Sequence, residues 1–202
     1  MEAEISIEGD QSAAVPCPAC GHSSTAPMFG DLRDCKLCGH AFAPSELANT
    51  RLAELYTERY FRGEEYRDYL SERNIIELNF RSRLRVLRRF LDLHRHRRLF
   101  EVGCAYGFFL HAARNDFVSV SGIDVCEAAV RYAVERLGLD AVCGDLLEQD
   151  LNGQEFDVVC MWDTIEHLAR PDLYVEKLTG HMRTGALVVR SRRVTSEAST
   201  QA

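Results

Sequence analysis

The sequence predicts an α/β fold: a parallel sheet with helices on both faces, preceded by a small cysteine-bearing module and a helical linker. Three observations carry that expectation. From residue 98 onward, apolar runs of strand length alternate with amphipathic segments of helix length. Residues 75–98 repeat Ile76, Phe80, Leu84, Leu87 and Leu91 at spacings of three and four, the period of one helical face. Residues 15–42 hold two C-x-x-C pairs and little else that could fill a core. The boundaries drawn are 1–44 for the cysteine module, 45–97 for a helical linker and cap, 98–191 for the parallel-sheet domain and 192–202 for a flexible tail.

The chain has 202 residues, enough for one core and a small accessory module. Its net charge of −7 makes nonspecific nucleic-acid binding an unexpected role. Residues 81–98 nevertheless carry eight arginines against one aspartate. The first reading is the solvated face of a helix, and the second a patch for an anionic partner. The start, MEAEISIEGDQ, is acidic and lacks the apolar core of a signal peptide. No run reaches the length of a membrane span, so a soluble, cytoplasmic protein is expected.

Eight cysteines could suggest a disulfide scaffold, but their placement argues otherwise. Cys104, Cys126, Cys143 and Cys160 are scattered in or beside apolar segments, as small buried hydrophobes are. Cys17, Cys20, Cys35 and Cys38 form the pairs CPACG and CKLCG, separated by 14 residues. A glycine after each pair lets the chain turn so that amides point at sulfur. Four thiolates so arranged suit one tetrahedral Zn²⁺, a closed structural site. His22 and His40 need not be ligands.

The remaining elements follow in order. Pro44-Ser45 ends the module. Residues 45–60 suggest a short helix, YFRGEEYRDYLSERN a tyrosine-rich turn, and residues 75–98 a long helix. Strands are expected at 99–103, 117–124, 141–145, 156–163 and 186–191. Helices are expected from Gly107, at 126–138 with Gly138 as C-cap, and at 171–182 with Pro171 in the first turn. From Arg192 the text is polar and aperiodic, so the sheet is expected to end early.

In such a sheet, ligands bind beyond the carboxyl ends of the strands. Four candidates fall there. Glu101 precedes the turn Gly103–Gly107, whose small residues let a ligand approach the backbone. Asp124 ends the second strand, 21 residues after Gly103, where a carboxylate can accept from a ribose diol. Asp145, with Leu146 beside it, follows the third strand and could accept from a base amine. Asp163 follows the fourth strand, in MWDTIEHLARP. NAD would need a G-x-G-x-x-G cradle for its pyrophosphate. The spacing here is G-x-A-x-G, from Gly103 through Ala105 to Gly107, with Phe108 next and an acid before it. That favours a less anionic ligand tail, such as the methionine part of S-adenosylmethionine.

Over residues 98–191 the sequence resembles class I S-adenosylmethionine-dependent methyltransferases. The resemblance implies a Rossmann-like methyltransferase sheet, incomplete at the C-terminus since the family's sixth and seventh strands are not found. It implies that Glu101, Gly103, Ala105 and Gly107 hold the methionine part, with Ala in place of the middle glycine. It implies that Asp124 binds the ribose hydroxyls and that Asp145, with Leu146, lies at the adenine. FDVVCMWDTIEHL matches the segment bordering methyl transfer, placing Asp163 at the cofactor. The zinc knuckles and tyrosine-rich stretch resemble an N-terminal extension of family members that methylate sugars or small metabolites.

The implied function is methyl transfer to a small-molecule acceptor, such as a sugar. The enzyme must hold the acceptor in line with the S–CH₃ bond and exclude water. Asp163, Glu166 and His167 are the candidate bases. His167 could work near neutral pH, and it shares a face with Asp163 if an α-helical turn begins there. Tyr60, Tyr66 and Tyr69 are candidates to cover the site. A homodimer could shield the short sheet edge. The alternative is an inactive cofactor-fold remnant serving as an interaction module. Membrane and nucleic-acid partners are not expected.

Overall fold

The computed structural model of the chain describes residues 15–29, 32–43, 69–168 and 170–190. The chain divides into two compact units, Met1–Ala48 and Asn49–Ala202. The short helix expected at 45–60, Tyr60, Tyr66 and the polar tail lie outside the described residues.

The first unit is an antiparallel sheet of β1 (Thr25–Pro27), β2 (Arg33–Cys35) and β3 (Ala41–Phe42), in that spatial order. Among the described residues its buried apolar cluster is Cys17, Cys35 and Phe42, with Val15 packed against them. So small a core cannot offset the entropy of ordering the chain around it.

The second unit is built on a five-stranded sheet in the order β6-β5-β4-β7-β8, parallel throughout. The strands are β4 (Arg98–Val102), β5 (Ser119–Asp124), β6 (Asp140–Cys143), β7 (Phe156–Met161) and β8 (Met182–Arg190). The helices are α1 (Arg73–Leu87), α2 (Phe108–Ala113), α3 (Glu127–Leu137) and α4 (Pro171–Thr179). Because side chains alternate along a strand, both faces of β4 and β7 are covered and both read as continuous apolar runs. Leu99, Val158, Cys160 and Trp162 pack with Leu84 and Leu87 of α1, Phe109 and Leu110 of α2 and Ala133 of α3. Phe100, Val102, Val159 and Met161 pack on the other face with Leu146, Leu151 and Leu178. Each such large side chain, once buried, contributes about 1.5–3 kcal/mol.

Element ends differ from the sequence expectation where side chains redirect the backbone. The long helix stops at Leu87 rather than near 98. Asp92 Oδ1 accepts from the His94 amide at 2.9 Å, and the Asp92 carbonyl accepts from the His96 amide at 2.7 Å. That local turn competes with helix and lets β4 begin at Arg98. Below the sheet, the buried Asp157 carboxylate accepts from the Arg97 and Arg98 amides, both at 2.9 Å. It ties the entry of β4 to β7. The last helix ends at Thr179 instead of 182, and β8 starts earlier than expected, with a shifted register against Phe156 and Val158.

Part of the arginine-rich stretch is paired within the unit. Arg81 meets Glu77, Arg88 meets Asp116 and Arg98 meets Glu155. Arg83 pairs with Asp163 at 2.7 Å, which the helix-face reading did not anticipate.

Candidate functional site

Chain order reverses between β4 and β7: from β4 the sheet grows one way through β5 and β6, and from β7 the other way through β8. A crevice at the carboxyl ends of strands opens at such a switch point. The turn after β4 and the segment after β7 flank it.

The turn is built by its own hydrogen bonds. The Gly103 and Cys104 amides both donate to the Ile123 carbonyl, at 2.8 and 3.1 Å. The Ala105 amide donates to Asp124 Oδ2 at 2.8 Å, and Asp124 Oδ1 accepts from the Cys126 amide at 2.9 Å. Gly103 and Gly107 have φ of +76° and +73°, where a side chain is strained. A Cβ on Gly103 would collide with the Thr164 side chain, and one on Gly107 with Leu139 and Ala133. What comes close to these two glycines within the chain is therefore its own packing, and Thr164 thereby bridges the crevice. Ala105 sits at φ +46°, a conformation costing a non-glycine residue about 1–2 kcal/mol. Asp124 holds it there. Tyr106 is buried, stacked on Tyr69 with ring centroids 5.3 Å apart.

The four expected acids occupy distinct environments. Glu101 is buried on the α1–α2 face, with Oε2 lacking a hydrogen-bond partner. Burial, and then the Asp124 carboxylate, push it well above the usual carboxylate range, against the pull of Arg83. Asp124 is also raised, by burial, while the Cys126 and Ala105 amides pull it back. Asp145 Oδ1 accepts from the Leu147 amide at 2.9 Å and from the Tyr174 hydroxyl at 2.7 Å, and Leu146 beside it is buried. Burial and the Asp145 contact raise the Tyr174 hydroxyl pKa. Asp163, at φ +52°, accepts from Arg83 Nη2 at 2.7 Å.

Beyond Asp163 the chain forms a 3₁₀ turn, Ile165–His167, whose His167 amide donates to the Thr164 carbonyl at 2.9 Å. This is tighter than the α turn that would set Asp163 and His167 on one face. Sequence reasoning missed Arg83 and Tyr174 as neighbours of the expected acids. Only a contact between distant segments reveals either. A cavity of about 580 Å³ adjoins the crevice, lined by α1 with Phe90, by Trp162 and by Leu187–Arg190 of β8.

In the first unit, Cys17, Cys20, Cys35 and Cys38 present sulfurs all within 4.8 Å of one another. Cys17 and Cys38 Sγ are 3.7 Å apart, and Cys20 and Cys35 Sγ 3.5 Å. A tetrahedron with metal–sulfur bonds of about 2.3 Å has edges of about 3.8 Å, so the set fits a tetrahedral ion. The two knuckles are near copies. Gly21 and Gly39, at φ +71° and +72°, donate to the Cys17 and Cys35 carbonyls at 2.8 and 2.9 Å. The Cys38 and Leu37 amides help bring the Cys35 thiol down to about 7. The His22 amide favours the Cys20 thiolate too, but burial and the crowding sulfurs outweigh it and push that thiol up to about 12. Such crowding is what a bound cation relieves. His22 Nδ1 instead accepts from the Ser24 amide at 3.0 Å.

Residues 99–185 match the family model described as a methyltransferase domain. Among solved structures, the chain is similar to CalS10, an amino pentose methyltransferase from Micromonospora echinaspora involved in calicheamicin biosynthesis. That similarity is 25% identity over 66% of this chain and 54% of that one, with a TM-score of 0.45. The plantazolicin methyltransferase BpumL shares 18% identity over 46% of this chain and 38% of its own, with a TM-score of 0.44. An S-adenosylmethionine-dependent methyltransferase from Clostridium acetobutylicum shares 15% over 47% and 42%, with a TM-score of 0.43. The chain thus spans well under two thirds of these structures' length. No curated protein matches it. The architecture is a Rossmann-like parallel sheet with a small N-terminal sheet that carries the cysteine cluster. No described helix is long and apolar enough to cross a membrane.

Proposed function

We propose that the chain binds S-adenosylmethionine and serves methyl transfer to a small-molecule acceptor. The observation that carries this is the matched segment, residues 99–185, laid across the switch point with its acid–glycine turn and Asp124 side by side. Bound there, the cofactor supplies an electrophilic sulfonium methyl. The chain's part is to bind, orient and exclude water. Glu101 offers a buried acceptor oxygen suited to a cationic ligand group. Asp124 serves the ribose, and Asp145 with Leu146 the adenine. Gly103, Ala105 and Gly107 form the floor. Asp163 borders the reacting end, and His167, two residues beyond Ile165, is the residue to take a proton from the acceptor. The adjoining apolar cavity gives room for a small acceptor. The cysteine cluster holds a structural Zn²⁺.

Calorimetric titration with S-adenosylhomocysteine tests the reading. Saturable binding to the wild type is expected, weakened about tenfold or more by Asp124→Ala, since hydrogen bonds to a charged group contribute about 1.5–3 kcal/mol. Binding of NADH instead, or no binding by protein with a cooperative melting transition, contradicts it.

A further inference from the structure

We infer that Arg83 is the residue that grips the carboxylate of an amino-acid ligand in this site, with the Trp162 indole as second donor and Glu101 taking the ligand's ammonium. The inference rests on the reading of the site as one for S-adenosylmethionine, whose tail is a zwitterionic amino acid. Among the described residues, four buried side-chain polar atoms have no hydrogen-bond partner, and three of them are Arg83 Nη1, Trp162 Nε1 and Glu101 Oε2. Native proteins satisfy almost all such atoms, and each one left unpaired costs about 1–3 kcal/mol. Three around one crevice therefore point to a missing partner. Two are donors and one is an acceptor, which is what a carboxylate and an ammonium require of a protein.

The donors are held in place before any ligand arrives. Arg83 Nη2 is bound to Asp163 at 2.7 Å, and the guanidinium carbon lies 5.2 Å from the Trp162 ring centre and 5.5 Å from that of Phe80. The planar fork is thus fixed with its second nitrogen spare, the geometry that suits a carboxylate. Trp162 is itself wedged edge-on against Phe109, at 5.1 Å between centroids. Glu101 lies on the same sheet face as Cys160 and Trp162, close enough for Arg83 to favour its charged form. The Arg83 and Asp163 side chains are 31% and 32% exposed, so the cluster opens to solvent on one side and a ligand can enter.

Comparison of two ligands isolates this grip. S-adenosylhomocysteine carries the amino-acid tail, while methylthioadenosine has the same nucleoside and sulfur without it. By calorimetry, Arg83→Gln is expected to weaken S-adenosylhomocysteine about ten- to a hundredfold and to change methylthioadenosine less than about twofold. Arg83→Lys, which keeps the charge but not the fork, is expected to fall between and carries the test if the glutamine variant does not fold. An unchanged preference between the two ligands in the folded variant overturns the inference. Failure of the wild type to bind either ligand overturns the cofactor reading beneath it instead.

Discussion

Glu101 sits where a carboxylate is hardest to ionise, in the middle strand of a parallel sheet with one oxygen unpartnered. Its folded pKa is raised above the ordinary 4.5. Above that pH the unfolded chain has released the proton and the folded chain still holds it. Stability therefore falls as pH rises, by about 1.4 kcal/mol per pH unit until the folded group ionises. Glu101→Gln removes that slope. Its stability gain over the wild type, from denaturant melts, should grow between pH 5 and pH 7, while its affinity for S-adenosylhomocysteine drops. A gain independent of pH would show that Glu101 is ionised in the folded protein. The residue type and its place before two glycines were legible in the sequence. Its lack of a partner was not, because Arg83 and Asp163 meet across 80 residues of chain. Helix periodicity alone put Arg83 with its solvated neighbours.

At the scale of elements, the two cysteine knuckles repeat one design, and a repeat is easy to read from sequence. The C-x-x-C-G spacing dictates a cysteine carbonyl accepting from a glycine amide at positive φ, and both copies have it. With three buried apolar residues in their cluster among the described residues, β1, β2 and β3 are expected to depend on what joins the sulfurs. The purified protein should carry about one zinc per molecule by metal analysis. Cys35→Ser should lose it, together with amide protection in β1–β3, while protection in β4 and β7 persists. Full protection of β1–β3 without metal would refute the structural zinc. Strands β4 and β7 were legible for a different reason: burial on both faces leaves continuous apolar runs. Helix ends were less so. Beyond the end of α1 the chain turns at Asp92, whose side chain captures the His94 amide, a choice that apolar periodicity does not encode.

For the whole molecule, the fold class followed from alternation of elements, while the strand order β6-β5-β4-β7-β8 emerged only from the structure. The crevice lies where that order reverses, and it gathers Glu101 and Asp124 from two strands, Asp163 from the segment after β7 and Arg83 from α1. The glycines of the turn have a double use visible only in three dimensions. They admit Thr164, Leu139 and Ala133, and so let the floor of the crevice close. The most direct measurement is a crystal structure of the chain with S-adenosylhomocysteine. The account predicts ligand density over the Gly103–Gly107 turn, with the ribose at Asp124, the adenine near Asp145 and the amino-acid carboxylate on Arg83. Density confined to the cavity between α1 and β8, with the turn bare, would contradict it.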